Sequence, residues 1–369
     1  MKNEQLKRYL LSIILDERKG VFASLLRPIL LILSGIYYLG LEIIQLLYHL
    51  KILKRVKLKA RVISVGNLTV GGTGKTPAVE KIAGFLQEKG KKVAILSRGY
   101  KGKIQNSKIK IQSYRSQVAV VTDGKKILLS AKEAGDEPYL LAQNLSGVPI
   151  VVGKDRIASG NYCLNHFNSE VFILDDGFQY QRLKRDLDIL LIDSLNPFGN
   201  GYFLPRGILR EPLKSLKRAD LFILARTDQD ANIEALKEKI RRINPFAPIL
   251  ESIHAPCYLE DVKSKKIFNL EFIENKEVLA LSSIAHPESF ERTLKDLKAI
   301  IMKRLRYPDH YPYIKEDLKE IISKARGCLI ITTQKDGVRL EPLVEDESIL
   351  LLRIELKITK GQEVLERML

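Results

Sequence analysis

The run Gly66-Asn67-Leu68-Thr69-Val70-Gly71-Gly72-Thr73-Gly74-Lys75-Thr76-Pro77 follows a short apolar stretch, Val62-Ile63-Ser64-Val65, and precedes a segment with helical periodicity. A strand, a glycine-rich turn and a helix in that order reverse the chain so tightly that successive backbone N–H groups face one point, with the positive end of the helix behind them. Such a point suits a phosphate. Thr69, Val70, Gly71, Gly72, Thr73, Gly74, Lys75 and Thr76 are therefore the nucleotide-binding candidates, with Lys75 reaching the β and γ phosphates and the Thr76 hydroxyl placed for Mg²⁺. At the head of the loop, where the usual pattern has glycine, stands Thr69, so the loop reads as a double-glycine variant.

A phosphate loop needs an acidic partner, and Val171-Phe172-Ile173-Leu174 runs directly into Asp175-Asp176-Gly177-Phe178-Gln179. Magnesium takes hard oxygen ligands and keeps several waters, so one or two carboxylates at the C-terminal end of a buried strand suffice. Two adjacent aspartates can divide the work, one toward the metal and one toward Lys75 or a water; the sequence leaves open which does which.

The chain has 369 residues, 45% of them hydrophobic, which excludes disorder and allows two domains. Its 61 basic and 44 acidic residues give a formal charge of +17, pointing to an anionic partner without choosing among nucleic acid, acidic lipid and phosphorylated substrate. Cys163, Cys257 and Cys328 show no metal-binding spacing, so free thiols in a reducing cytosol are expected, with neither a zinc site nor a disulfide framework.

Residues 28–50 are apolar for about the length of a bilayer span. Glu42, Gln45 and His49 fall on one stripe of such a helix, which suits a surface-lying or domain-docked helix better than a spanning one. Lys7, Arg8, Arg18, Lys19 and Arg27 precede the stretch, and Lys51, Lys54, Arg55, Lys57, Lys59 and Arg61 follow it. Basic residues at both flanks keep both ends on the cytoplasmic side. The expectation is a monotopic helix pair with a basic collar against anionic lipid, the alternative being a buried helix hairpin of a soluble domain. A small-residue cleavage site is lacking, which argues against a secretory signal.

Beyond the loop, strands at 93–96, 148–152, 171–174, 187–193 and 221–224 alternate with helical stretches, which predicts an α/β fold with a P-loop NTPase-like, mostly parallel sheet. The rhythm pauses at 253–259, and 350–356 offers a partner strand, so a second, smaller α/β domain joined by a two-stranded linker is expected. The predicted division is 1–55 for N-terminal membrane-associated helices, 56–250 for the P-loop kinase core, 251–358 for linker strands and smaller domain, and 359–369 for a C-terminal segment.

The loop, Ser97-Arg98-Gly99-Tyr100, Gly135-Asp136-Glu137-Pro138, Leu174-Asp175-Asp176-Gly177-Phe178-Gln179, Leu204-Pro205-Arg206-Gly207 with Leu209-Arg210-Glu211-Pro212, Tyr307-Pro308-Asp309-His310-Tyr311-Pro312-Tyr313 and Thr333-Gln334-Lys335-Asp336 follow one another in an order that closely resembles the tetraacyldisaccharide 4′-kinases of lipid A synthesis. The resemblance covers nearly the whole chain. It departs at Leu281-Ser282-Ser283-Ile284-Ala285-His286-Pro287, where relatives have a more glycine-rich turn, and at Gln334, where Glu is usual.

The resemblance implies a lipid kinase that moves the ATP γ-phosphoryl group, with Mg²⁺, to the 4′-hydroxyl of a tetraacylated glucosamine disaccharide 1-phosphate, giving lipid IVA, at the cytoplasmic face of the inner membrane. It implies Asp136 as the base, with His310 approaching and orienting it, although an aspartate before Glu137-Pro138 also suits a helix cap. Lys75 completes the catalytic set. Arg210 could neutralise phosphate charge and Glu211 could bind Mg²⁺ or a sugar hydroxyl, or the two form a surface ion pair; Arg98 and Gln179 join Arg210 as substrate candidates. Thr76, Asp175, Asp176 and Glu211 are the metal candidates. A membrane-docked NTPase switch acting on a protein is the rival reading, but the second signature lysine such switches carry at the head of the loop is missing. A nucleic-acid-binding ATPase would want aromatics interleaved with its basic residues, which this chain lacks, and no obligate protein partner is expected.

Overall fold

The structure, a computed structural model, describes residues 18–99, 116–230, 232–345 and 348–369, together with 9, 12–14, 16 and 111–113. Lys7, Arg8 and Tyr100 lie outside the described residues. In chain order the strands of the first half are β1 (Arg61–Asn67), β2 (Val93–Ser97), β3 (Ile111–Ser113), β4 (Ser116–Thr122), β5 (Ile150–Gly153), β6 (Val171–Asp175) and β7 (Leu187–Asp193). Those of the second half are β8 (Leu221–Ala225), β9 (Ile249–Asp261), β10 (Ile267–Phe268), β11 (Glu277–Ser282), β12 (Ile300–Arg306), β13 (Leu329–Thr333) and β14 (Ile349–Lys360). The chain forms two compact units, one of Met1–Arg98, Asp155–Ile253 and Ile358–Leu369, the other of Gly99–Lys154 and His254–Lys357.

In the first unit the strand order is β9-β8-β7-β1-β6-β2, and each strand runs parallel to its neighbours in that order. Helices cover both faces of such a sheet, which is why β2, β6, β7 and β8 are apolar nearly throughout and buried along their whole length. Phe178, Leu190, Phe222 and Ile240 share one cluster with Leu68 and Leu209, tying the residues just beyond β1 into the core. Since β1 pairs with β6 on one side and β7 on the other, the strand order reverses there. At such a switch point the crevice beyond the C-terminal strand ends is the natural ligand site in an open α/β sheet.

In the second unit β12-β11-β13-β14 form a parallel set, with Leu281, Ile321, Ile330 and Leu340 in one cluster and Val278, Phe290, Leu294 and Ile331 in another. The segment 99–154, expected within the P-loop core, groups with this unit instead. Two features account for it. β5, the strand read at 148–152, pairs antiparallel with β4, which pairs antiparallel with β3; and the helix Asp136–Asn144 packs on the helix Gln334–Leu340. β9 and β14, neighbours in the strand order, each begin in one unit and end in the other.

The apolar N-terminal segment holds one continuous helix, Val21–His49, which is long and apolar enough to cross a membrane by length and composition, and residues 9 and 12–14 ahead of it are helical as well. It is not a buried hairpin. Within it only Ala23 and Ser34 are buried, while Leu25, Ile32, Ile36 and Leu39 stand more than half exposed. Its polar groups turn inward on the first unit. Ser34 Oγ donates to the Phe203 carbonyl (3.0 Å), Tyr37 OH to that of Arg210 (3.0 Å), Gln45 Nε2 to Ser215 Oγ (3.4 Å), and Glu42 pairs with Lys214. Tyr38 stacks on Phe203 at 4.9 Å, and Asp16 forms ion pairs with both Arg27 and Arg206.

Candidate active site

The phosphate loop owes its shape to backbone that only glycine takes easily. Gly71 has φ 125° and Gly74 φ 83°, the latter ending the loop in the left-handed region as the residue before the helix Lys75–Glu88. No side chain caps that helix, so its first-turn N–H groups point at the crevice, and Pro77 in the first turn has no N–H to satisfy. Thr76 is buried. The loop is braced on all sides: Asn67 Nδ2 donates to Thr73 Oγ1 (3.0 Å), Gln179 Nε2 to the Asn67 carbonyl (2.9 Å), Val70 N to the Ile208 carbonyl (2.8 Å) and Arg226 to the Gly72 carbonyl (3.2 Å).

Register places the acidic partner. Val65 lies opposite Asp175 in the β1–β6 pairing, so the residues after β6 emerge beside the loop. The two aspartates diverge. Asp175 is 2% exposed, and its Oδ2 accepts from Ser97 Oγ at 2.9 Å. Asp176 turns out of the strand with φ 53°; its Oδ1 lies 3.6 Å from Lys75 Nζ, and Arg210 grips both its oxygens at 2.8 and 3.0 Å. Burial works to raise the Asp176 pKa, but Lys75 and Arg210 overcome it and hold it at about 2. Arg156, 4% exposed, adds to that field: burial pulls its guanidinium below the ordinary value against the attraction of Asp175 and Asp176.

The structure thus brings Lys75, Asp176 and Arg210 into direct contact, with Thr76 in the adjoining helix turn and Asp175 at the end of β6. It sets two candidates apart. Glu211 is buried against Arg218, whose guanidinium sits 2.9 Å from the carboxylate and 4.3 Å from the Phe178 ring centroid, and Gln179 spends its amide on the loop backbone. Arg98 follows β2 and is exposed. Among the described residues no group of three or more His, Cys, Asp or Glu side chains could hold a metal ion. The donor set that remains, a hydroxyl and a carboxylate pair beside a phosphate loop, fits magnesium, which needs few protein ligands.

The second unit holds the other candidates. Asp136 opens the helix Asp136–Asn144, and its Oδ2 meets His310 Nδ1 at 3.1 Å; His310 itself sits at φ 57° on a loop. Arg339 Nε lies 3.4 Å from the same Oδ2. Behind it is a closed polar network around fully buried Asp336: Ser283 Oγ and Tyr313 OH donate to Asp336 Oδ1 (2.6 and 3.1 Å), and Thr333 Oγ1 to Oδ2 (2.6 Å). Lys335 pairs with Glu137.

Sequence reasoning missed Asn67, Ser97, Arg156, Arg226 and Arg339. Asn67 and Ser97 had a usable signal, since each closes a strand beside a candidate motif. Arg226 did not: it is buried with φ 60°, donating from Nε to Asp193 at 3.0 Å, and nothing local in the chain marks it.

A parallel sheet with a glycine loop at its switch point, a lysine and threonine opening the next helix and an aspartate pair ending the neighbouring strand defines a P-loop nucleotide-dependent enzyme. Within that class the chain belongs to the tetraacyldisaccharide-1-P 4′-kinase family, whose profile matches residues 26–369. It is 38% identical over 350 residues to the tetraacyldisaccharide 4′-kinase of Halothermothrix orenii, spanning 91% of this chain and 88% of that one. The namesake from Anaeromyxobacter sp. strain Fw109-5 is 39% identical over 352 residues, spanning 94% and 91%. The crystal structure of LpxK from Aquifex aeolicus in complex with ATP superposes with a TM-score of 0.71 at 33% identity, covering 93% of this chain and 98% of that one.

Proposed function

We propose that this protein is an ATP-dependent lipid kinase that transfers the γ-phosphoryl group to the 4′-hydroxyl of a tetraacylated glucosamine disaccharide 1-phosphate, the step of lipid A synthesis that yields lipid IVA. The observation that carries the reading is the Lys75–Asp176–Arg210 charge cluster at the mouth of the phosphate loop, in a chain that matches this kinase family from residue 26 to its last residue. Phosphoryl transfer asks a protein mainly for positioning and charge neutralisation. The loop from Thr69 to Thr76 cradles the phosphates, Lys75 meets the transferring group, and Arg210 and Arg98 answer charge on phosphate or acceptor. Thr76 and the Asp175–Asp176 corner would hold Mg²⁺, which when bound neutralises the phosphate oxygens. Asp136 takes the proton of the acceptor hydroxyl late in the transfer, oriented by His310. Glu211 acts through Arg218, and Gln179 through the loop it braces.

The helix Val21–His49 lies in the inner membrane's cytoplasmic interface with its apolar side in lipid, so that an insoluble acceptor reaches a nucleotide in the cytosol. Its exposed leucines and isoleucines and the lysines and arginines just beyond its end support this placement. The test incubates the purified protein with γ-labelled ATP, Mg²⁺ and an acylated disaccharide 1-phosphate. Label in the lipid supports the kinase; free phosphate alone, stimulated by membrane or a protein, supports an NTPase switch and overturns it.

A further inference from the structure

We propose that Arg339 is a positioning residue that, together with His310, pins one oxygen of Asp136 so that the other, Oδ1, is the atom presented to the acceptor hydroxyl; this rests on the reading of Asp136 as the base. Both of the groups that reach the carboxylate reach Oδ2, His310 Nδ1 at 3.1 Å and Arg339 Nε at 3.4 Å, while among the described residues Oδ1 makes no hydrogen bond or ion pair. A carboxylate held by one oxygen from two sides cannot swing about its Cβ–Cγ bond without breaking both contacts, so the free oxygen keeps one direction.

Arg339 is built for that task. It is 9% exposed, and its guanidinium is fixed before it meets Asp136: Nε donates to the Lys335 carbonyl (3.1 Å), one terminal nitrogen to Ser283 Oγ (2.8 Å) and the Tyr311 carbonyl (3.1 Å), the other to Asp336 (3.0 Å). With its Nε–H committed to the Lys335 carbonyl, it acts on Asp136 as a fixed charge. Its bond to the Tyr311 carbonyl also anchors the loop that carries His310, so a single side chain sets both members of the pair. Asp336 supplies the compensating charge that lets a buried cation sit there.

The experiment measures kcat and both KM values in the lipid-labelling assay for wild type, Arg339→Gln, Arg339→Lys, Thr332→Ala and Asp136→Asn, with melting temperatures alongside. Expected are a kcat about tenfold or more below wild type for Arg339→Gln with KM for ATP and acceptor within about twofold, and partial recovery in Arg339→Lys. Thr332→Ala removes a buried hydroxyl of the same unit that donates to the Leu281 carbonyl (3.0 Å), away from both Arg339 and Asp136, and its kcat stays near wild type at a comparable loss of melting temperature. A kcat in Arg339→Gln no lower than in Thr332→Ala overturns the proposal, as does a loss shared equally by Arg339→Gln and Arg339→Lys. Near-normal turnover in Asp136→Asn instead overturns the base itself, a separate outcome.

Discussion

Lys75 and Asp136 are asked to do different things, and their removal reads differently. In the proposed function Lys75→Ala deletes the charge that meets the transferring phosphate, and Asp136→Ala the proton acceptor; each is expected to lower kcat by about 10² or more. The fold should survive, since neither side chain lies in an apolar cluster, so unchanged circular dichroism beside lost turnover is the check. Asp176 carries a stability signature as well. Its folded pKa, about 2, lies below the ordinary 3.8, so the ionised carboxylate contributes stability that is complete above 3.8 and is lost as pH falls through about 2. The melting-temperature gap between wild type and Asp176→Asn should therefore close across that window; a gap that stays constant from pH 5 to 2 would contradict it. Little of this was legible residue by residue. The loop and the Asp175–Asp176 corner stand out because a local pattern carries them, but nothing in the chain distinguishes Asp176, which takes Lys75 and Arg210, from Asp175, which takes Ser97. That choice is made by a φ of 53° at the strand's end.

At the scale of elements, β1 and the turn after β6 are packed to contact. A Cβ on Gly66 would sit 2.7 Å from Phe178 N and 2.6 Å from Phe178 Cβ, closer than real atoms come. Gly66→Ala should cost about 1–3 kcal/mol in denaturant unfolding and raise KM for ATP, because Phe178 and the loop must part. Unchanged stability would mean the close approach is not rigid. The N-terminal helix offers the opposite test. Ile32 and Ile36 are 65% and 63% exposed, so Ile32→Asp with Ile36→Asp should leave the melting temperature of the protein nearly intact while shifting it from anionic vesicles to the supernatant on sedimentation. The polar stripe of this helix was visible in the sequence at Glu42 and Gln45, but not the direction it faces: periodicity shows that two faces differ, and only the partners Lys214 and Ser215 show that the polar one turns inward. The antiparallel β3–β5 set was missed for a related reason, since an apolar run of four residues reads the same whichever way its neighbour runs.

For the molecule as a whole, each unit carries its own core, with the phosphate loop and its carboxylates in the first and the Asp136–His310 contact in the second. The parallel sheet followed from alternation of strands and helices, whereas the grouping of 99–154 with 254–357 depends on side-chain packing between helices far apart in the chain, which no local pattern encodes. The central claim is that this chain transfers phosphate to one hydroxyl of the lipid. It is tested most directly by the position of the new phosphate: ³¹P–¹H correlation spectra of the lipid recovered after turnover should show a second phosphomonoester coupled to the proton at carbon 4′ of the distal sugar. A product with only its original 1-phosphate, after the ATP has been consumed, would contradict the account.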